Sequence, residues 1–200
     1  MYRFYLAAVD MLPGVLIFLP VYFLLNRIYF RSAGKSILCF LFSCYLCVVS
    51  VLVGLPTVTY IRPELNLNLI PFTGMIGDLK NSILNVLLFV PLGIMLPLLW
   101  EKYRNPKKAV LFGFGMSLTI ELLQMLTFRA TDINDLITNT AGAFLGYLCS
   151  MVLLRKFPAA KNLTRSTRAG EPTLVLVTVF LVMFFVYPFV SAMVWDLILS

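Results

Sequence analysis

The sequence predicts an all-α fold, a polytopic transmembrane helical bundle of about six spans that forms a single membrane domain over residues 1–200. Hydrophobic residues make up 60% of the chain and charged residues only 12%, about half the charged fraction of an average soluble domain. The apolar residues also form long blocks, and a helix needs roughly 20 such residues to cross the hydrocarbon layer. Helices satisfy their own backbone groups there without having to close a barrel.

Six apolar blocks have the length of a span: 11–30, 36–57, 82–100, 109–128, 133–154 and 173–195. The first lacks the residue order of a cleaved signal, so we expect it to be retained as a span. Of the 16 lysines and arginines, 12 lie in the loops after the first, third and fifth blocks, counting Arg27 at the end of the first block. The positive-inside rule therefore places those loops in the cytoplasm and both termini outside.

The charge and the reactive residue types exclude several functions. The net charge is +7, but the basic clusters separate apolar blocks, which favours orientation in a membrane over nucleic-acid binding. The chain has no histidine, so acid–base chemistry would fall to Asp, Glu, Lys or Tyr. The four cysteines all lie in apolar blocks and are interpreted as packing residues rather than as a metal or redox site.

The external segment 58–81, between spans 2 and 3, has too few apolar residues to cross the membrane. Polar and apolar residues alternate over 64–69, which is typical of an extended chain. Pro71 biases the residue before it away from helix. We expect an extended or re-entrant segment that caps the outer side of the bundle.

Polar residues concentrate in spans 4 and 5. Glu121 and Gln124 are three residues apart and share a helix face; a carboxylate at that depth should face the bundle interior or a water-filled cavity. Span 5 carries one stripe with a polar outer half and a small inner half: Asp132, Asp135, Asn139, Gly142, Gly146 and Ser150. The GxxxG within it allows two helix backbones to approach closely, and we expect it to pack spans within one chain.

The short connection between spans 4 and 5 makes them antiparallel neighbours that should touch. Glu121 and Asn139 each lie seven residues from that connection, about 10 Å along a helix, so we expect them at the same depth. Gln124 and Asp135 should pair nearer the surface. Arg129, in the connection itself, suits planar contact with a carboxylate or a phosphate.

Span 3 completes the polar set. Asn85 lies just inside its outer end, and Pro91 should bend the helix and open room beside that amide. Polar groups between spans often serve only to join helices. Three carboxylates, an arginine and three amides at one end of the bundle exceed what joining requires, which favours a functional site.

Four motifs resemble the VanZ-like family over about residues 66–148: Asn68-Leu-Ile-Pro71-Phe72, Asn85-Val-Leu-Leu-Phe89-Val-Pro91-Leu-Gly93, Glu121-Leu-Leu-Gln124, and the spaced run from Arg129 through Asp132, Asp135, Asn139 and Gly142 to Gly146. The family's name member is an accessory protein of glycopeptide resistance that lowers susceptibility to teicoplanin. The resemblance implies a protein of the bacterial cytoplasmic membrane, with a polar site that faces outward. It implies no particular reaction.

Two functions follow as hypotheses. The first is binding of a membrane lipid, a lipid-linked envelope precursor or a lipoglycopeptide antibiotic in an outward-facing cavity by Asn68, Asn85, Glu121, Gln124, Arg129, Asp132, Asp135 and Asn139. The alternative is an enzyme that modifies an envelope lipid with Glu121 and Asp135 as acid and base. No cofactor is predicted, although Asp132 and Asp135 offer oxygen ligands for a divalent cation. A transporter ranks last, because no charged residue continues the path inward.

Overall fold

The computed structural model describes residues 2–63, 66–72, 79–127, 131–160, 168 and 170–199. These residues are almost entirely helical, which confirms the all-α prediction. The chain divides into two compact units. Unit 1 comprises Met1–Ile61 with Arg168–Ser200, and unit 2 comprises Arg62–Thr167.

Seven α-helices and two very short strands follow one another along the described chain: α1 (Tyr2–Leu25), α2 (Ala33–Val53), β1 (Leu67–Asn68), α3 (Leu79–Leu99), α4 (Pro106–Gln124), β2 (Thr131–Asp132), α5 (Ile133–Lys156), α6 (Glu171–Leu181) and α7 (Tyr187–Leu199). A π-helical turn, Asn26–Phe30, extends α1, and a second one, Val182–Val186, joins α6 to α7. A 3₁₀ turn, Glu101–Arg104, precedes α4.

Five helical segments among the described residues are long and apolar enough to cross a membrane: Met11–Phe30, Ala33–Val53, Leu79–Leu99, Ile133–Lys156 and Glu171–Leu199. They coincide with five of the six predicted spans, so the protein is a multi-pass membrane protein by length and composition. The other predicted span corresponds to α4, which carries Lys107, Lys108 and Glu121 and is not among them. The count of six spans and the placement of the termini stay predictions.

In unit 1, α1 packs against α2 and α7, and α2 also packs against α6. The core includes a buried ion pair between Lys35 of α2 and Glu171 of α6, whose side chains are each 3% exposed. The hydroxyl groups of Tyr22 and Ser43 lie 2.6 Å apart and join α1 to α2. Helix α2 ends at Gly54, whose φ of 66° is the left-handed conformation that glycine adopts without steric cost.

In unit 2, α5 packs against both α3 and α4. A Cβ atom at Gly142 would fall on the carbonyl oxygen of Val86, and one at Gly146 on that of Val90, both in α3. The backbones of α3 and α5 are therefore in direct contact, and the GxxxG packs two helices of the same chain, as expected. Helices α4 and α5 also touch, but the glycine contacts show that the more intimate partner of α5 is α3.

Candidate functional site

Glu121 is almost fully buried on α4, at 3% exposure. Its Oε2 accepts a hydrogen bond of 3.0 Å from the backbone N–H of Asp132, and its backbone carbonyl accepts one of 3.0 Å from the Thr131 hydroxyl. Both donors lie in β2, so the residues before α5 fold back along the end of α4. No cation of the described residues forms an ion pair with Glu121.

Asp132 caps the N-terminus of α5. Its Oδ1 accepts from the backbone N–H of Asn134 at 2.8 Å, and its Oδ2 accepts from the Nδ2 of Asn68 at 3.0 Å. The first bond satisfies an N–H that a helix start would otherwise leave unpaired. The second ties the external segment to α5, so both carboxylate oxygens of Asp132 have partners.

The external segment is fastened to α5 through its backbone as well. Strand β1 runs parallel to β2, with Leu67 opposite Thr131 and Asn68 opposite Asp132. The backbone N–H of Thr131 donates to the carbonyl oxygen of Asn66 at 2.9 Å. The segment is thus extended at Leu67–Asn68. That it caps the outer side of the bundle stays a prediction.

Asn134 also bonds the external segment to α5, and the sequence did not predict it as a site residue. Its Oδ1 accepts from the backbone N–H of Phe72 at 2.7 Å. Phe72 has a φ of 65°, a left-handed conformation that is unusual for a bulky residue. The only local signal was an asparagine two residues after the helix cap, because the partner lies 62 residues away.

Asn139 lies deeper than predicted. It is 4% exposed, and its Nδ2 donates to the hydroxyl of Ser117 at 3.0 Å. Ser117 is one helical turn further from the connection than Glu121, so the prediction of equal depth for Glu121 and Asn139 was wrong. The reason is that α4 ends at Gln124, whereas the prediction continued the helix to residue 128. The Oδ1 of Asn139 is buried without a hydrogen-bond partner among the described residues.

For three other predicted site residues, the structure gives the helix on which each lies and how far each is buried. Gln124 is buried at the end of α4, Asp135 is half-buried in the first turn of α5, and Asn85 is half-buried in α3. The aspartates Asp132 and Asp135 both act electrostatically on Glu121. The pairing of Gln124 with Asp135 stays a prediction, and Arg129 lies outside the described residues.

Hydrogen bonds join the described residues of this cluster. Within the described ranges, no group of three or more His, Cys, Asp or Glu side chains is placed to hold a metal ion. Each oxygen of Asp132 already accepts one N–H donor. The arrangement instead joins a buried carboxylate, a helix cap and a buried amide at the end of unit 2 where α4 meets α5.

Comparisons with known proteins identify a family. A family model described as VanZ/LLP1 matches residues 42–155, a range that contains the whole polar network. Protein VanZ of Enterococcus faecium is 43% identical over 83 residues. The alignment covers 40% of this chain and 50% of that relative, so the match spans about half the length of the curated protein. No solved structure matches.

Proposed function

The chain belongs to the VanZ/LLP1 family, and from this we propose that it contributes to teicoplanin-type glycopeptide resistance in the bacterial envelope. It does so by binding a lipid, a lipid-linked envelope precursor or an acylated antibiotic at an outward-facing polar site in unit 2. The observation that carries the proposal is the buried carboxylate of Glu121, which lies within the family-matched region and accepts a backbone N–H at one oxygen.

Glu121 and Asn139 form the polar half of the proposed site. Burying a charged group is unfavourable unless it is paired or well hydrogen-bonded, and a carboxylate has about four acceptor positions. The bond from Asp132 uses one of them. The buried Oδ1 of Asn139 adds another acceptor. A ligand with amide N–H or sugar O–H donors matches this set, and Arg129 would contact an anionic group.

The apolar half is the external segment that β1 and Asn134 fasten to α5. Leu69, Ile70 and Phe72 in this segment are 61–67% exposed. The hydrogen bond that the Phe72 N–H donates to Asn134 fixes the backbone at Phe72. Exposed apolar side chains beside polar acceptors suit a ligand that joins an acyl chain to an amide or sugar headgroup. This is the reason for preferring an acylated ligand.

A drug-susceptibility assay tests the proposal. Cells would express the wild type, Glu121→Gln, Arg129→Ala or the control Glu101→Gln, whose side chain is 64% exposed, at equal membrane levels. Removing a hydrogen bond to a charged group weakens binding by roughly 10- to 100-fold. We therefore expect Glu121→Gln to return the inhibitory concentration of teicoplanin to that of cells without the protein, with the control unchanged.

A glycopeptide of similar core but without the acyl chain provides the second arm of the assay. If the acyl chain is recognised, the protein alters susceptibility to teicoplanin more than to this analogue. Unchanged resistance in both Glu121→Gln and Arg129→Ala would show that the polar cluster is not the site. Equal protection against both drugs would remove the acylated antibiotic as ligand and leave an envelope component.

The enzyme alternative has one observation in its favour: two aspartates act electrostatically on the buried Glu121, as in sites where a carboxyl group is tuned for proton transfer. Lipid mass spectrometry of cells with the wild type, with Glu121→Gln and without the protein separates the two functions. A lipid or lipid-linked species that changes only with the wild type supports catalysis. Resistance that depends on Glu121 without any changed species supports binding.

A further inference from the structure

Unit 1 carries a groove of about 250 Å³ between α1 and α2. Its walls are mainly apolar and include Leu19, Phe23, Ile37 and Phe40, while Asn26 and Ser36 supply polar atoms. Leu19, Phe23 and Ile37 are 57–63% exposed, and all lie in segments apolar enough to span a membrane. The groove therefore opens toward the region that lipid chains occupy.

One cation contacts a wall of this groove, and a second follows in the same turn of chain. The guanidinium of Arg27 is 5.2 Å from the centre of the Phe23 ring, so its charge stands over a wall residue. The backbone N–H of Arg31 donates to the carbonyl oxygen of Asn26, another wall residue, at 2.8 Å. Both arginine side chains are exposed. Lys35, on the same stretch of chain, is instead buried against Glu171.

The π-helical turn Asn26–Phe30 shapes the mouth of the groove. Such turns are rare and often occur at functional sites. The Oδ1 of Asn26 accepts from the backbone N–H of Ser32 at 3.1 Å, and Arg31 has a φ of 51°. These features fix the backbone of the sharp connection between the turn and α2, which carries Arg31.

We propose that this groove binds part of one acyl chain of an anionic phospholipid, with the lipid phosphate at Arg27 and Arg31. The volume lies below the roughly 300–1,000 Å³ of pockets that enclose a whole small-molecule ligand, so it suits part of a chain rather than a complete molecule. No acidic side chain lines the groove, so its charge complements a phosphate. The proposal concerns unit 1 and stands independently of the polar site in unit 2.

Native mass spectrometry of the full detergent-solubilised chain tests this. The protein would be titrated with dioleoyl phosphatidylglycerol, which is anionic, or with zwitterionic dioleoyl phosphatidylcholine. We expect preferential retention of phosphatidylglycerol. A cation near an anionic lipid contributes about a fivefold gain in affinity, so Arg27→Gln and Arg31→Gln should each weaken retention about fivefold. Soluble glycerol phosphate, which lacks the acyl chains, should not compete.

A second pair of variants tests the groove itself and does not depend on the arginines. Ile37→Trp places a larger side chain on the groove wall, whereas Ile28→Trp changes a residue of similar exposure that does not line it. Weaker lipid retention in Ile37→Trp alone supports the proposal. Equal retention of the two lipids, unchanged retention in the arginine variants, or equal loss in both tryptophan variants would overturn it.

Discussion

Each unit buries a glutamate, and the two are held in different ways. Glu171 in unit 1 faces Lys35, and both side chains are 3% exposed. Glu121 in unit 2 accepts a backbone N–H instead, with no ion pair to a cation among the described residues. The Glu171 carboxyl group is already paired with a cation, whereas the Glu121 carboxyl group has acceptor positions beyond the one that the Asp132 N–H uses. The contrast is consistent with the proposal that Glu121, and not Glu171, contacts a ligand.

The two units also differ in how their helices pack. Unit 1 fills its interior with large side chains such as Phe18 and Phe42, both fully buried. Unit 2 brings α3 and α5 together through glycines, so that backbone meets backbone. Close backbone contact restricts how the two helices can shift, because no flexible side chain separates them. A rigid frame of this kind suits a site whose acceptors must stay in place.

The largest effect should come from breaking the ion pair of unit 1. Removing one partner of a buried pair leaves an uncompensated charge and destabilises a fold by about 3–5 kcal/mol. We expect Lys35→Met to lower the free energy of unfolding in detergent by about that amount, and Lys35→Met/Glu171→Met to recover most of it. Glu101→Gln, in the exposed pair with Arg104, is the control and should change stability by about 0–1 kcal/mol. A mild effect of Lys35→Met would contradict the comparison.

A smaller loss is expected at the glycine contacts of unit 2. In Gly142→Ala the new methyl group meets the Val86 carbonyl, and forcing extra atoms into a packed contact costs about 1–3 kcal/mol. Gly115→Ala is the matched control, because a Cβ there meets nothing within 4 Å. That variant should be neutral or stabilised by up to about 1 kcal/mol. Thermal unfolding of the two purified variants compares them directly, and equal midpoints would refute direct backbone contact.

The smallest effect separates capping from metal binding at Asp132. Asp132→Asn keeps an oxygen for the Asn134 N–H but not for the Asn68 amide, so it should lose less stability than Asp132→Ala, which also loses the cap and with it about 1 kcal/mol. Stability would be measured with and without Mg²⁺ or Ca²⁺. A stabilisation by either ion that Asp132→Asn abolishes would restore the metal alternative and count against the capping role.

The sequence predicted the features that depend on local pattern. Long apolar blocks locate the membrane helices, and the spacing of Asp132, Asn139 and Gly142 places them on α5. It failed at the connection between α4 and α5, and where a contact joins residues that are distant in the chain. The end of α4 at Gln124 shifted Asn139 by one turn relative to Glu121, because the Thr127 hydroxyl and N–H both bond the Gln124 carbonyl. The roles of Asn134 and of the α3 backbone likewise depend on contacts that no local pattern encodes.

The pairing of β1 with β2 also constrains how the protein is made. Asn68 and Asp132 are 64 residues apart in the chain, and both α3 and α4 lie between them. At a synthesis rate of roughly 5–20 residues per second, Asp132 is added to the chain about 3–13 seconds after Asn68. During that interval the apolar residues after β1 are not yet held by the pairing of β1 with β2. The polar network therefore closes late in biogenesis, after α3 and α4 have been synthesised.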